Sequence, residues 1–288
     1  MKKRLLFISA LIFFFPCILA HSDDERIQVT YSIDWRNAYF SISAQAEIPD
    51  NQRNRPAARH QSLRRIENQM PQFLAEGIIQ IPLDSEHIIQ DDAVKQQLII
   101  QNIDSIFENR DEDYSRLSPD RQYAMLTCHF PLHSLISKQF QQATTARPIP
   151  RVLGWAPQAE YSGVIIYMAH TPFHNTQSES YSFKGTLFPA IRNTQGRIVF
   201  DHSMVEPEII RSIGMNMYES ECNQSVAQRV GSVPLRITGY ASYGNRPSDI
   251  ILSPADMHFL LANASTREAL RQGKLAIILP AQNIIQQY

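Results

Sequence analysis

The chain is poor in the residues that build the commonest catalytic loops. It has 10 glycines among 288 residues. No Walker or dinucleotide-type glycine pattern occurs among them, so the usual phosphate-cradling loops are excluded. A G-x-S-x-G nucleophile turn is missing too, which removes the most readable hydrolase signature. Excess charge of either sign is absent: 27 Lys and Arg stand against 28 Asp and Glu, a formal net charge of −1. Setting aside Lys2, Lys3 and Arg4 leaves 24 basic residues facing 28 acidic ones. Neither balance supplies the basic face that a nucleic-acid surface requires. There is no repeat at solenoid spacing and no low-complexity tract. Past the first residues, no apolar run approaches the roughly 20 residues that span a bilayer as a helix.

What is present begins with a leader. Lys2, Lys3 and Arg4 precede an apolar run from Leu5 to Phe15, Pro16 breaks it, and polar residues follow Ala20. Residues 1–20 therefore read as a secretory signal with cleavage after Ala20. An uncleaved anchor and lipidation at Cys17 are the two other readings, and a lipid at Cys17 is the only membrane attachment besides the leader. Cys128 and Cys222 would then meet an oxidising compartment, where they either form a disulfide or remain free thiols. Cys128 shares one face of an alternating segment with Ala124, Leu126 and Phe130, which favours a buried thiol as naturally as a bond.

The clearest architecture lies at 249–279. Ile250, Ile251 and Leu252 form one aliphatic run, and residues 275–279 form another. Neither alternates with polar residues, so both are expected to be strands covered on both faces. Between them Ser253 and Pro254 open a helix. Ser265 with Glu268 has capping-box spacing, and Gly273 marks a stop. A strand–helix–strand crossover joining two parallel neighbours is the expectation.

Earlier segments are read the same way. Residues 27–33 and 38–48 alternate and predict a β-hairpin. Leu63, Ile66, Met70, Phe73 and Leu74 have helical spacing after Pro56, with Pro71 expected to kink that helix or start a second one. A strand is expected at 78–83, a helix capped by Asp91 or Asp92, and a charged loop at 108–120. Residues 121–130 alternate as a strand. Residues 143–157 contain Pro148, Pro150 and Pro157 and form the expected linker. The second half alternates strands at 163–169, 181–191, 197–200, 214–218 and 234–243 with short helices. The fold class is α+β: a mixed β-sheet with helices, an N-terminal hairpin plus helices, and the C-terminal strand–helix–strand unit. The divisions are 1–20 signal, 21–142 N-terminal region, 143–157 linker and 158–288 C-terminal region.

Candidate sites are few. His129 with His133, and His170 with His174, have the four-residue spacing of helical metal ligands, but Pro131 and Pro172 interrupt the helix each pair needs. Asp111, Asp113 and Ser115 open like a calcium loop, yet Arg116 and Gln122 replace its Gly and Glu. Asp84, Ser85 and His87 hold the residue types of a nucleophile set. His170, His174 and Asp201 would have to converge in a pocket to serve a ligand. Asp201, Glu206 and Glu208 read as turn and helix-start acids. No catalytic residue, cofactor or metal site is expected.

Three blocks carry a resemblance: residues 161–167 (YSGVIIY), residues 187–191 (LFPAI) with Gly196 and Arg197, and residues 249–256 (DIILSPAD). They resemble secreted spirochaetal proteins with no assigned function. The first two are also similar to the small outer-membrane lipoprotein superfamily, some of whose members accompany flagella. The resemblance implies an exported, non-enzymatic envelope protein of structural or assembly type, periplasmic or outer-membrane associated, with an envelope protein as partner. A periplasmic small-molecule-binding module or a hydrolase with an unrecognised site is the alternative.

Overall fold

The computed structural model describes residues 27–287 apart from 50–55, 112, 133–134, 136–144, 156–158 and 169–182. The expected leader, with Cys17 and Ala20, lies outside the described residues. Among those described, no helix is long and apolar enough to cross a membrane.

The N-terminal hairpin forms as its alternation dictates, with β1 at Gln28–Asp34 and β2 at Tyr39–Glu47. β2 then pairs along its whole length with β4, Tyr123–Pro131, and β3, Tyr114–Leu117, adds beyond β4. β3 falls inside the stretch expected to be a charged loop. Its burial is slight, so little hydrophobic period is written into it. One face of this antiparallel sheet buries Phe40, Ile42, Ala44, Leu126, Cys128 and Phe130. The helix α1, Pro56–Ile78, covers that face with Ile66, Met70, Phe73 and Leu74. Each such side chain contributes about 1.5–3 kcal/mol by burial. Pro71 sits inside α1 without ending it. The strand expected at 78–83 does not form: α1 runs through Ile78, and only an isolated bridge joins Pro82 to Ile88. Asp92 caps α2, Ala93–Gln101, by accepting from the N–H groups of Val94 and Lys95. A break at Asn102 separates it from α3, Ile103–Glu108.

The second half holds two four-stranded sheets. One contains β8 (Met217–Glu219), β12 (Leu275–Ile278), β5 (Val164–Tyr167) and β9 (Leu235–Thr238), in that order and all parallel. The other is ordered β10 (Ala241–Tyr243), β11 (Asp249–Ile251), β6 (Ile191–Arg192) and β7 (Ile198–Phe200). Of the strand expected at 181–191, the described residues 183–190 form none, and only Ile191 and Arg192 pair. Of the four short helices among the described residues of this half, α4 is Pro207–Ile213 and α5 is Gln224–Val230, capped by Asn223.

The two aliphatic runs are both buried: Ile250, Ile251 and Ile277 are fully inaccessible. They are not neighbours, however. β11 lies parallel to β6, and β12 lies between β5 and β8, in different sheets. The expected crossover is thus replaced by two separate parallel insertions. The sheets are linked through residues 235–243 instead. Gly239 donates its N–H to Tyr167 of one sheet, and Tyr240 donates to Ile251 of the other. A Cβ on Gly239 would lie 2.1 Å from the Met168 sulfur, so a larger residue where the strand changes sheets would have to displace that side chain.

Ser253 caps α6, Pro254–Ala262, as its sequence suggests. The next cap differs from expectation. Asn263, not Ser265, caps α7, Ala264–Arg271, by accepting from the Ser265 N–H, and Glu268 turns instead to Gln272. Gly273 adopts the left-handed conformation at φ 64° and ends the helix.

The halves share one hydrophobic core, running from Ile33 and Phe40 to Ile250 and Ile277. β13, Ile285–Gln287, returns from the C-terminus to pair with β1. The α+β class holds.

Candidate functional site

The first sheet leaves its other face open, and there the polar half of the alternation gathers. β2 sets Ser41 opposite His129 and Ser43 opposite Thr127. β3 brings Tyr114 opposite Thr127, beside His129. The end of β1 contributes Asp34, and the turn after it contributes Asn37. Asp111 is held by its own N–H, which donates to the His129 carbonyl at 2.9 Å. Asp34, Asn37, Tyr39, Ser41, Asp111, Tyr114 and His129 line an open cleft of about 510 Å³.

The groups pair off inside it. The Tyr39 hydroxyl donates to Asp111 Oδ2 at 2.6 Å. Ser41 Oγ and His129 Nδ1 are 2.7 Å apart. Asp34 accepts from the Asn37 side chain at 2.7 Å and from the backbone N–H groups of Arg36 and Asn37. The rings of Tyr39 and Tyr114 stand edge-on to the His129 ring, at centroid separations of 6.4 and 5.7 Å. The hydrogen bond to Asp111 pushes the Tyr39 phenol above its ordinary range. Chemically the arrangement offers acceptors, hydroxyls and aromatic edges on a fixed sheet. It is better built to hold a group than to attack one. Ser41 and His129 form a pair, but no described hydrogen bond links His129 to an orienting carboxylate.

Sequence reading singled out two of these residues for other reasons. His129 was paired with His133, which lies outside the described residues. Asp111 was placed in a calcium-loop pattern, which the structure breaks. Asp113 pairs with Arg110 at 2.8 Å, and Ser115 is part of β3. Tyr39, Ser41 and Tyr114 were missed. Their signal was the polar phase of an alternating strand, which by itself reads only as an exposed face.

The other candidates disperse. His170 and His174 lie outside the described residues, while Asp201 caps a short turn through the Ser203 N–H. Asp84 and His87 bond each other at 3.0 Å. Ser85 turns away to Asp249 at 2.9 Å, so the three form no nucleophile set. Glu206 pairs with Arg271, and Glu208 opens α4, as helix-start acids do. Cys128 and Cys222 are both free, so the disulfide between them is not formed. Cys128 is sealed under α1 on the inner sheet face, and Cys222 is exposed beside Tyr167 at 3.1 Å. Burial pushes the Cys128 thiol far up, with hydrogen bonding to Asp113 adding to it. Among the described residues no three His, Cys, Asp or Glu stand together to hold a metal.

A second, smaller cavity lies where the halves meet. It measures about 90 Å³, and its walls include Trp35, Leu132, Thr186, Phe188, Met215 and Tyr218. Trp35 Nε1 and Thr186 Oγ1 on those walls are buried and have no hydrogen-bond partner among the described residues. Burial pushes the Tyr218 phenol up to about 12, against the hydrogen bonds it makes with Thr186.

Residues 26–139 match the family model of the N-terminal domain of Treponema pallidum Tp0624, and residues 163–281 match the model of its second domain. The chain is thus similar to two domains of Tp0624, in the same order. Both matches are to spirochaetal domain families of unknown function. They carry the spirochaetal part of the resemblance and do not extend to the small outer-membrane lipoprotein superfamily. No curated protein matches the chain. All seven residues of the open cleft fall inside the stretch matched by the Tp0624 N-terminal domain.

Proposed function

We propose that the chain is an exported, non-enzymatic protein of the cell envelope, of structural or assembly type, that works by holding a partner protein. One observation supports this most. The most buried carboxylate among the described residues is spent on the fold: Asp249 accepts from the Ala190 N–H, Ser85 Oγ and Arg192 Nε, crosslinking three segments. The open cleft has the same character, with paired hydroxyls and carboxylates rather than a nucleophile and an oxyanion site. The leader at residues 1–20 directs the chain to the periplasm or outer membrane. The spirochaetal similarity makes the neighbourhood of periplasmic flagella a sensible place to look. The two regions on either side of 143–157 would then act as one body around a common core. Crosslinking in intact envelopes, followed by partner identification, tests the reading. Recovery of one defined envelope protein is expected, and recovery of the uncrosslinked chain alone would contradict it.

The small cavity between the halves favours a second reading, a periplasmic binder of a small molecule. Unpartnered buried donors beside apolar walls are what such a site presents. A pool of small molecules raising the melting temperature would favour this reading, because a ligand stabilises only the fold that binds it.

A further inference from the structure

We infer that the open cleft receives a Lys or Arg side chain from an extended, basic segment of a partner protein. This rests on the cleft being a holding surface rather than a reacting one. The first reason is charge. Among the described residues, the cleft is lined by two carboxylates, Asp34 and Asp111, and by no Lys or Arg. The nearest cations along the chain are committed elsewhere. Arg36 reaches away to Glu219 at 3.0 Å and Ser220 at 2.6 Å. Arg110 bonds Asp113 at 2.8 Å and stacks over the Phe107 ring at 4.1 Å. The carboxylates are thus left facing solvent with hydroxyl and amide partners only.

The second reason is the aromatic wall. Tyr114 is 57% exposed, so its ring is open to a ligand. A cation above a tyrosine ring is attracted by its quadrupole, so a carboxylate beside an exposed tyrosine suits an ammonium or guanidinium group. A phosphate or carboxylate ligand would meet two like charges instead.

The third reason is access. β3 is the edge strand of its sheet, bonded to β4 on one side and to no other described strand. An open edge accepts an extended chain, and side chains of alternate residues then fall on one face. A segment laid along β3 would present such a side chain beside Tyr114. Arg116, two residues further along the same face, confines the acidic zone to the Tyr114 end.

The test uses the purified chain and a fluorescent tetralysine peptide, with a tetraglutamate peptide as the charge-reversed probe. Saturable binding of tetralysine, weakened by salt, is expected, with none of tetraglutamate. Asp111→Asn should weaken it about threefold, the scale of one exposed ion pair. Tyr114→Ala, whose ring makes contact without a described hydrogen bond, should weaken it by a similar factor. Asp104→Asn, on α3, should leave it unchanged. Spermidine distinguishes a free polyamine from a peptide: it should compete more weakly than tetralysine. The inference is overturned if tetralysine fails to bind or if Asp104→Asn costs as much as Asp111→Asn. It is also overturned if spermidine binds more tightly than the peptide and shows the same Asp111 dependence. Failure here with the protein still found in the envelope would remove the ligand class alone. A cytoplasmic location with intact binding would remove the envelope reading alone.

Discussion

Breaking the Asp249–Arg192 pair from one side should be far more damaging than replacing both partners. The pair is 2.7 Å long, with side chains 1% and 14% exposed. Burial raises the Asp249 carboxyl above its usual range even though the Ala190 N–H, Arg192 and Ser85 all favour its charged form. Desolvation therefore outweighs what the partners return. On that reasoning the ion pair contributes little net stability, and its geometry serves to fix β11 against β6. Asp249→Asn leaves a buried guanidinium with one partner fewer and should cost about 3–5 kcal/mol. Arg192→Met leaves a buried carboxylate and should cost about the same. The double variant keeps an acceptor for the Ala190 N–H and orphans no charge. Its loss should fall short of the summed singles by roughly 2–3 kcal/mol or more. Urea denaturation of all four proteins gives the cycle directly. Additive losses would refute the reasoning, because they would mean that each group stabilises the fold without reference to the other. The pH dependence has a definite sign. A carboxyl whose folded pKa is raised binds its proton more tightly in the fold. Its contribution to stability therefore falls as pH rises from the ordinary carboxylate value through the raised one. That slope should be absent in Asp249→Asn.

Other perturbations are equally specific. Gly163→Ala places a Cβ 2.3 Å from the Val230 carbonyl oxygen, so it should destabilise by about 1–3 kcal/mol and lower the melting temperature. Of the two described thiols, Cys222 should react with Ellman's reagent in the native protein and Cys128 only after unfolding; equal native rates would contradict the burial of Cys128. Arg229 donates to the carbonyls of Gly273, Ile213 and Gly214, and burial lowers its pKa to about 10, still charged at neutral pH. Lysine cannot reproduce that fork, so Arg229→Lys should cost about 1–3 kcal/mol in urea melts. Asn263→Ala removes the cap of α7 and a bond to the Ala159 carbonyl at 2.7 Å, and should cost about 1–2 kcal/mol by the same measurement.

Local chemistry was legible in the sequence, and pairing between distant segments was not. Strict alternation identified β1, β2 and β4, and the Ser253–Pro254 pair identified the start of α6. The run at 275–278 announced its burial, but an apolar run says nothing about its neighbours. Those are set by register with Val164–Tyr167 and Met217–Glu219. The cap at Asn263 was misread because Ser265 had the better motif, whereas the Asn263 side chain also holds the loop at Ala159. The strand expected at 78–83 gave way to the last residue of α1 at Ile78 and a turn after it, in which only Pro82 bridges to Ile88. The cleft was hidden for a related reason. Its residues come from β1 and the turn after it, from β2, β3 and β4, and from the segment before β3, and each is a residue whose polarity is ordinary on an exposed strand face or in a turn.

The most direct measurement is the intact mass and location of the protein in fractionated native cells. The account predicts a chain in the envelope fraction that has lost its first residues, through cleavage after Ala20, or that carries a lipid at Cys17. The full 288-residue chain recovered from the cytoplasm with Met1 to Ala20 intact would contradict it.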